Sequence, residues 1–141
     1  MKSKSKDLQF KDIKIDDEYR FVKKINEKDV NRFAELTGDY NPLHLSKEYG
    51  KKTKFGENIV HGALLSGLFS TLVGMYCPGK NGFYLSQSAN YRNPVLINQK
   101  VAVRGVVVSK SNSTKIVVLK TEIYTKNKLN VDGVAKVIFF K

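Results

Sequence analysis

The chain has no tryptophan, one cysteine, two histidines and three prolines among its 141 residues. A lone Cys77 excludes an internal disulfide and fits a reducing compartment, so a cytoplasmic location is expected. No basic or metal-binding partner for Cys77 is evident, which argues against a nucleophilic role. Two histidines and one cysteine give no spacing that resembles zinc binding, and no metal is expected. No glycine-rich loop resembles a phosphate cradle. Arginine is scarce: Arg20, Arg32, Arg92 and Arg104 are four of the 25 basic residues, and the other 21 are lysine. Acidic residues number only 13, for a net charge of +12. That charge invites a nucleic-acid reading, but bidentate readout of phosphate or guanine favours arginine. The lysines are scattered, no nucleic-acid motif appears, and nucleic-acid binding is not expected. A long hydrophobic run is also missing. The most apolar segment, residues 59–77, is broken by His61, Gly62, Ser66, Gly67, Ser70, Thr71 and Gly74. It reads as a buried central helix rather than a membrane span.

What is present fits one domain, residues 1–141, with a basic N-terminal stretch over residues 1–8 read as a flexible tail. No apolar run follows Met1-Lys-Ser-Lys-Ser-Lys6, so no secretory signal is expected. Ile13, Ile15, Tyr19, Phe21 and Val22 lead in as an extended segment. Asn26, with an acid three residues on, is a helix start. Val30, Phe33, Ala34 and Leu36 then give the helix over residues 27–37 one buried face. A short helical piece follows from Ser46 to about Lys52, and polar residues 51–58 form a connection that could shape a mouth. Within the apolar segment Gly62, Ser66 and Ser70 stand four apart, a row that lets a sheet or ligand approach closely. Cys77-Pro78-Gly79 ends it. The remainder is strand-like: residues 83–91, a break at Asn93-Pro94, then residues 101–108, 116–125 and 131–140, the middle two pairing as a hairpin. One long helix followed by an antiparallel meander is an α+β layer arrangement.

The stretch Leu36-Thr37-Gly38-Asp39-Tyr40-Asn41-Pro42-Leu43-His44 carries the chemistry. Gly38 can take φ > 0, and Pro42 fixes its own φ and pushes Asn41 out of the helical region. The helix pattern therefore ends before Asp39, and a rigid irregular path follows. Such a path can aim Asp39 and His44 into one space as general acid and base. The string resembles the signature of the MaoC-like, or hydratase 2, family, Ser/Thr-Gly-Asp-x-Asn-Pro-aliphatic-His. The likeness continues through Ile59-Val60-His61-Gly62-Ala63-Leu64-Leu65, Tyr84-Leu85-Ser86-Gln87-Ser88 and Asn93-Pro94-Val95, from about Phe33 to the C-terminus. Where the family pattern has a small Ala or Ser, this chain has Gly50.

The resemblance implies a hot dog fold, an antiparallel sheet wrapped around a long central helix. It also implies an (R)-specific enoyl-CoA hydratase, a hydro-lyase that adds water reversibly to a trans-2-enoyl thioester to give an (R)-3-hydroxyacyl thioester. Asp39 and His44 would jointly activate water and deliver the proton, with the division of labour open. The amide of Gly62, at the start of the central helix, would donate to the thioester oxygen, a role compatible with close helix–sheet packing. Ser70 would support the pair or line the pocket. Asn41 would shape the loop, or be a plain turn residue. His61 reads as a structural core histidine, and Val73 as one residue lining an acyl tunnel. No cofactor is expected beyond coenzyme A as part of the substrate, and a homodimer is expected. The alternatives are a (3R)-hydroxyacyl-ACP dehydratase of fatty-acid synthesis and a non-catalytic acyl-thioester-binding subunit; a thioesterase fits the string less well. The lysines suit either the phosphates of coenzyme A or an acidic carrier protein.

Overall fold

The computed structural model describes residues 4–141; residues 1–3 lie outside the described part. A 3₁₀ turn at Phe10–Asp12 leads into strand β1 (Glu18–Lys24) and helix α1 (Glu27–Thr37). Two short helices follow, α2 (Pro42–Leu45) and α3 (Lys47–Lys52), then the central helix α4 (Gly62–Thr71), which runs on as a π turn at Leu72–Tyr76. The sheet strands are β2 (Gly82–Gln87), β3 (Asn90–Tyr91), β4 (Lys100–Lys110), β5 (Ile116–Thr125) and β6 (Lys128–Phe139). They pair antiparallel in the order β1-β4-β5-β6-β2, with β3 also on β6.

The period of two in β-branched residues decides which sheet face is buried. Val101, Val103 and Val107 of β4, Val117, Leu119 and Ile123 of β5, and Val131, Ala135 and Val137 of β6 are all fully buried. Leu65, Leu68, Phe69 and Leu72 join Val101, Val103, Ile123 and Val131 in one core cluster. Val73 and Cys77 join Val107, Val117, Leu119 and Val137 in a second. The helical run therefore lies along the concave face of the sheet. Gly105 lets it lie close, since a Cβ there would sit 2.6 Å from Leu72 Cδ2.

Two sequence expectations change. First, α4 is not buried all round: Ala63, Gly67, Ser70 and Gly74 are exposed. These small residues lie opposite the Leu and Phe face, and nothing within the described residues covers them. Second, residues 5–8 are not a loose tail. Ser5 Oγ donates to Gly74 O (2.6 Å), Lys6 N–H to Met75 O (3.0 Å), and Asn81 Nδ2 to Asp7 Oδ1 and Leu8 O. The backbone groups at the end of the π turn supply partners that the basic sequence gave no hint of. The central helix starts at Gly62, as expected, and residues 59–61 precede it, with Ile59 bridging to Leu96. No helix among the described residues is long and apolar enough to cross a membrane.

Candidate active site

The loop that carries Asp39 hangs from α1. Asn26 and Asp29 form a reciprocal capping box at its start, which satisfies two of the backbone donors a helix leaves unpaired. Gly38 closes the helix at φ 82° and donates its N–H to Ala34 O, the left-handed stop glycine is suited to. Thr37 Oγ1 accepts the Asp39 N–H (3.3 Å), and Asp39 Oδ1 accepts the Asn41 N–H (3.2 Å). The path from Pro42 is less irregular than the sequence implies. Asn41 Oδ1 accepts the Leu43 N–H (3.0 Å) and caps α2, with Pro42 in its first turn. Proline lacks the N–H that a first helical position leaves unused, so it starts this turn rather than breaking it. Asn41 is thus a cap, and His44 rides on the helix it starts.

Asp39 and His44, five residues apart in sequence, do come together, and His61 joins them. Each offers a donor atom, and these atoms lie within 4.8 Å of one another. His44 Nδ1 is 2.7 Å from Ile59 O. A carbonyl oxygen only accepts, so Nδ1 carries hydrogen and the neutral ring has its lone pair on Nε2. His61 is fully buried at 1% exposure, whereas the Asp39 carboxylate is half exposed. Burial, and then the neighbouring His44, hold the His61 imidazole below its ordinary pKa. The two imidazoles stack, centroids 3.9 Å apart with 28° between planes, and Phe33 packs on His61 at 4.7 Å. Lone pairs lie in the ring plane, so stacked rings set them side by side rather than converging on a cation.

His44 and Gly62 are both walls of a cavity of about 470 Å³, with Phe55, Ile59, Leu65 and Tyr91 among the others and Lys54 and Arg92 supplying positive charge. Gly62 is the first residue of α4, where an N–H has no partner within the helix. A Cβ on it would fall 2.9 Å from Tyr91 Cε1, so glycine here admits the Tyr91 ring. The hydroxyls of Tyr91 and Ser66 are hydrogen-bonded. A second cavity of about 240 Å³, lined by Glu27, Asn31, Lys47, Lys51 and Asn58, reaches His44 from another side. Ser70 lines neither cavity that reaches His44. It stands two turns beyond Gly62 on the exposed side of α4; Asp39 lines neither of these cavities either. Val73 is buried in the second core cluster.

Sequence reasoning missed Asn58, whose Nδ2 donates to Leu43 O (3.0 Å) and Ser46 O (2.8 Å), with Pro42 O at 3.4 Å. It fastens the helix that bears His44. Gly50 explains itself here: a Cβ would fall 2.9 Å from Asn58 N and 2.7 Å from Nδ2. His61 was placed in the core rather than at the site; its adjacency to Gly62 was the available signal. Cys77 is buried, and burial pushes its thiol up to about 12.

A sheet curled over a central helix, with an Asp and a His brought together by a capped loop beside the helix start, defines a hot dog domain. Known proteins agree. A MaoC like domain model matches residues 9–128, and the chain belongs to that family. It is 36% identical over 114 residues to the (R)-specific enoyl-CoA hydratase of Aeromonas caviae, covering 81% of this chain and 85% of that one. The (R)-specific enoyl-CoA hydratase of Rhodospirillum rubrum is 33% identical over 92% of this chain and 90% of its own length. A 3-hydroxybutyryl-CoA dehydratase of Methylorubrum extorquens is 41% identical over 97 residues, 69% of this chain and 62% of that protein's own length. The solved (R)-hydratase of A. caviae superposes with a TM-score of 0.88 over 90% of this chain and 97% of that one. These relatives are hydratases and dehydratases, that is, hydro-lyases.

Proposed function

We propose that the chain is an (R)-specific enoyl-CoA hydratase acting through Asp39 and His44. The observation that carries the reading is the meeting of Asp39 and His44, with His44 walling one cavity together with Gly62, the first residue of α4. Hydration adds the water oxygen to Cβ and a proton to Cα, and negative charge builds on the thioester oxygen between the two events. The Gly62 N–H, at the positive end of α4, is where that charge is best met. His44, with Nδ1 bound to Ile59 O, has Nε2 left to accept a proton, and Asp39 offers a second acceptor within reach of solvent. Together they remove the proton from water and return one to carbon. Coenzyme A comes as part of the substrate, and the reading needs no other cofactor. Lys54 and Arg92 suit its phosphates. They suit an acidic carrier as well, which supports a (3R)-hydroxyacyl-ACP dehydratase as the second reading. The exposed small-residue face of α4 and the open edge of β2, where Phe83 and Leu85 stand exposed, support pairing of two copies.

The test is loss of the enoyl thioester absorbance with crotonyl-CoA for wild type, Asp39→Asn and His44→Gln. Acid–base groups of this kind contribute about a hundredfold or more each, so both variants should collapse while staying folded. Full activity in both would overturn the reading, and turnover only of the carrier-protein thioester would move the second reading ahead.

A further inference from the structure

One side chain touches both members of the pair and adjoins the third component. His61 Nε2 lies 3.1 Å from the backbone carbonyl of Asp39 and 4.0 Å from its carboxylate. Its ring stacks on His44 at 3.9 Å. Its own carbonyl accepts the Leu64 and Leu65 amides that open α4, which fixes the backbone on which Gly62 follows. The Asp39 carbonyl can only accept, so His61 Nε2 carries hydrogen. Nδ1 then holds a lone pair, and it is buried without a hydrogen-bond partner. A second proton would create a buried N–H with nothing to receive it, against a stacked imidazole. The groups facing the ring are Asp39 from the loop, His44 from α2 and Phe33, uncharged, from α1. The other hydrogen bonds of Asp39 among the described residues are local, to Thr37 and Asn41, so His61 is its long-range anchor.

We propose that His61 is a positioning residue for the acid–base pair: a neutral imidazole that, packed on the His44 ring, holds the Asp39 backbone through Nε2–H. The inference rests on the hydration reading above, and goes beyond it by assigning the order of the site to a residue that touches no substrate.

Two substitutions in the full chain separate the functions. His61→Phe keeps a stacking ring and loses the donor; His61→Gln keeps an amide donor and loses the ring. With crotonyl-CoA, His61→Phe should lower kcat about ten- to a hundredfold, the range that loss of one buried hydrogen bond spans. KM should stay within about threefold, because ground-state binding is untouched. His61→Gln should recover most of the lost kcat. A residue that merely fills space gives the reverse order, Phe near wild type and Gln impaired, and that result overturns the proposal. If His61→Phe does not fold, imidazole nitrogen NMR of His44→Gln decides. With two histidines in the chain, that variant leaves His61 as the single one. A neutral Nε2–H tautomer that persists below the ordinary histidine value is expected, and a ring that titrates at that value of about 6.5 would overturn the proposal. Inactive wild type, or active Asp39→Asn, counts against the hydration reading instead, and the NMR measurement still reports on His61.

Discussion

Asn58→Ala tests whether the site is held from outside the signature stretch. Asn58 is 9% exposed, and its Nδ2 donates two well-formed hydrogen bonds, 3.0 Å to Leu43 O and 2.8 Å to Ser46 O, at the open end of α2. Truncation removes the donor and leaves both carbonyls in a half-buried wall. A hydrogen bond lost in this way costs about 1–1.5 kcal/mol, so the two together cost about 2–3 kcal/mol. For a domain of this size about 3–4 °C of Tm goes with each kcal/mol, giving a fall of about 6–12 °C by thermal unfolding. The perturbation is centred on the helix that carries His44, so kcat should fall as well, about tenfold for a misplacement near 1 Å. Asn58→Asp keeps the shape and sets a carboxylate oxygen against the same carbonyls, so it should be worse than alanine. A Tm within 2 °C of wild type together with unchanged kcat in Asn58→Ala would refute the argument that this side chain holds α2.

Two further outcomes follow from burial. Cys77, with its thiol raised to about 12, should resist iodoacetamide in the native state at pH 8 and react on unfolding; native labelling at the rate of a free thiol would contradict its placement in the core. His61 is held below its ordinary value by burial. The unfolded chain therefore takes up a proton near pH 6.5 that the folded chain refuses. Its contribution to stability is full above that pH and is lost as pH falls through the lowered folded value. Tm should decline on acidification below about pH 6.5, and His61→Gln should show a shallower decline. Equal slopes would refute the assignment. Paired carboxylates such as Asp132, held below the ordinary aspartate range by the Arg92 hydrogen bond, act only further down.

What the sequence disclosed of this site follows from how local each determinant is. The capping box of α1 and the stop at Gly38 are set by residues within four positions of one another, and local residue order placed them; the cap that Asn41 gives α2 was left open between a loop-shaping and a plain turn role. The β-branched runs marked β4, β5 and β6 as strands; which face is buried then follows from a period of two once α4 covers one side. Asn58 was silent for the opposite reason. An asparagine in a polar connection looks the same whether it faces water or reaches back 12 to 16 residues to three carbonyls. The exposed row of α4 was misjudged because its small residues have no preference for either side; exposure there is decided by what the Leu and Phe face selects. His61 shows the same limit at the chemistry itself. A histidine at the edge of an apolar helix reads as core, and it is core, 1% exposed. Only the fold reveals that the core at that point is the back wall of the site, so that burying the ring and ordering Asp39 and His44 are one physical event.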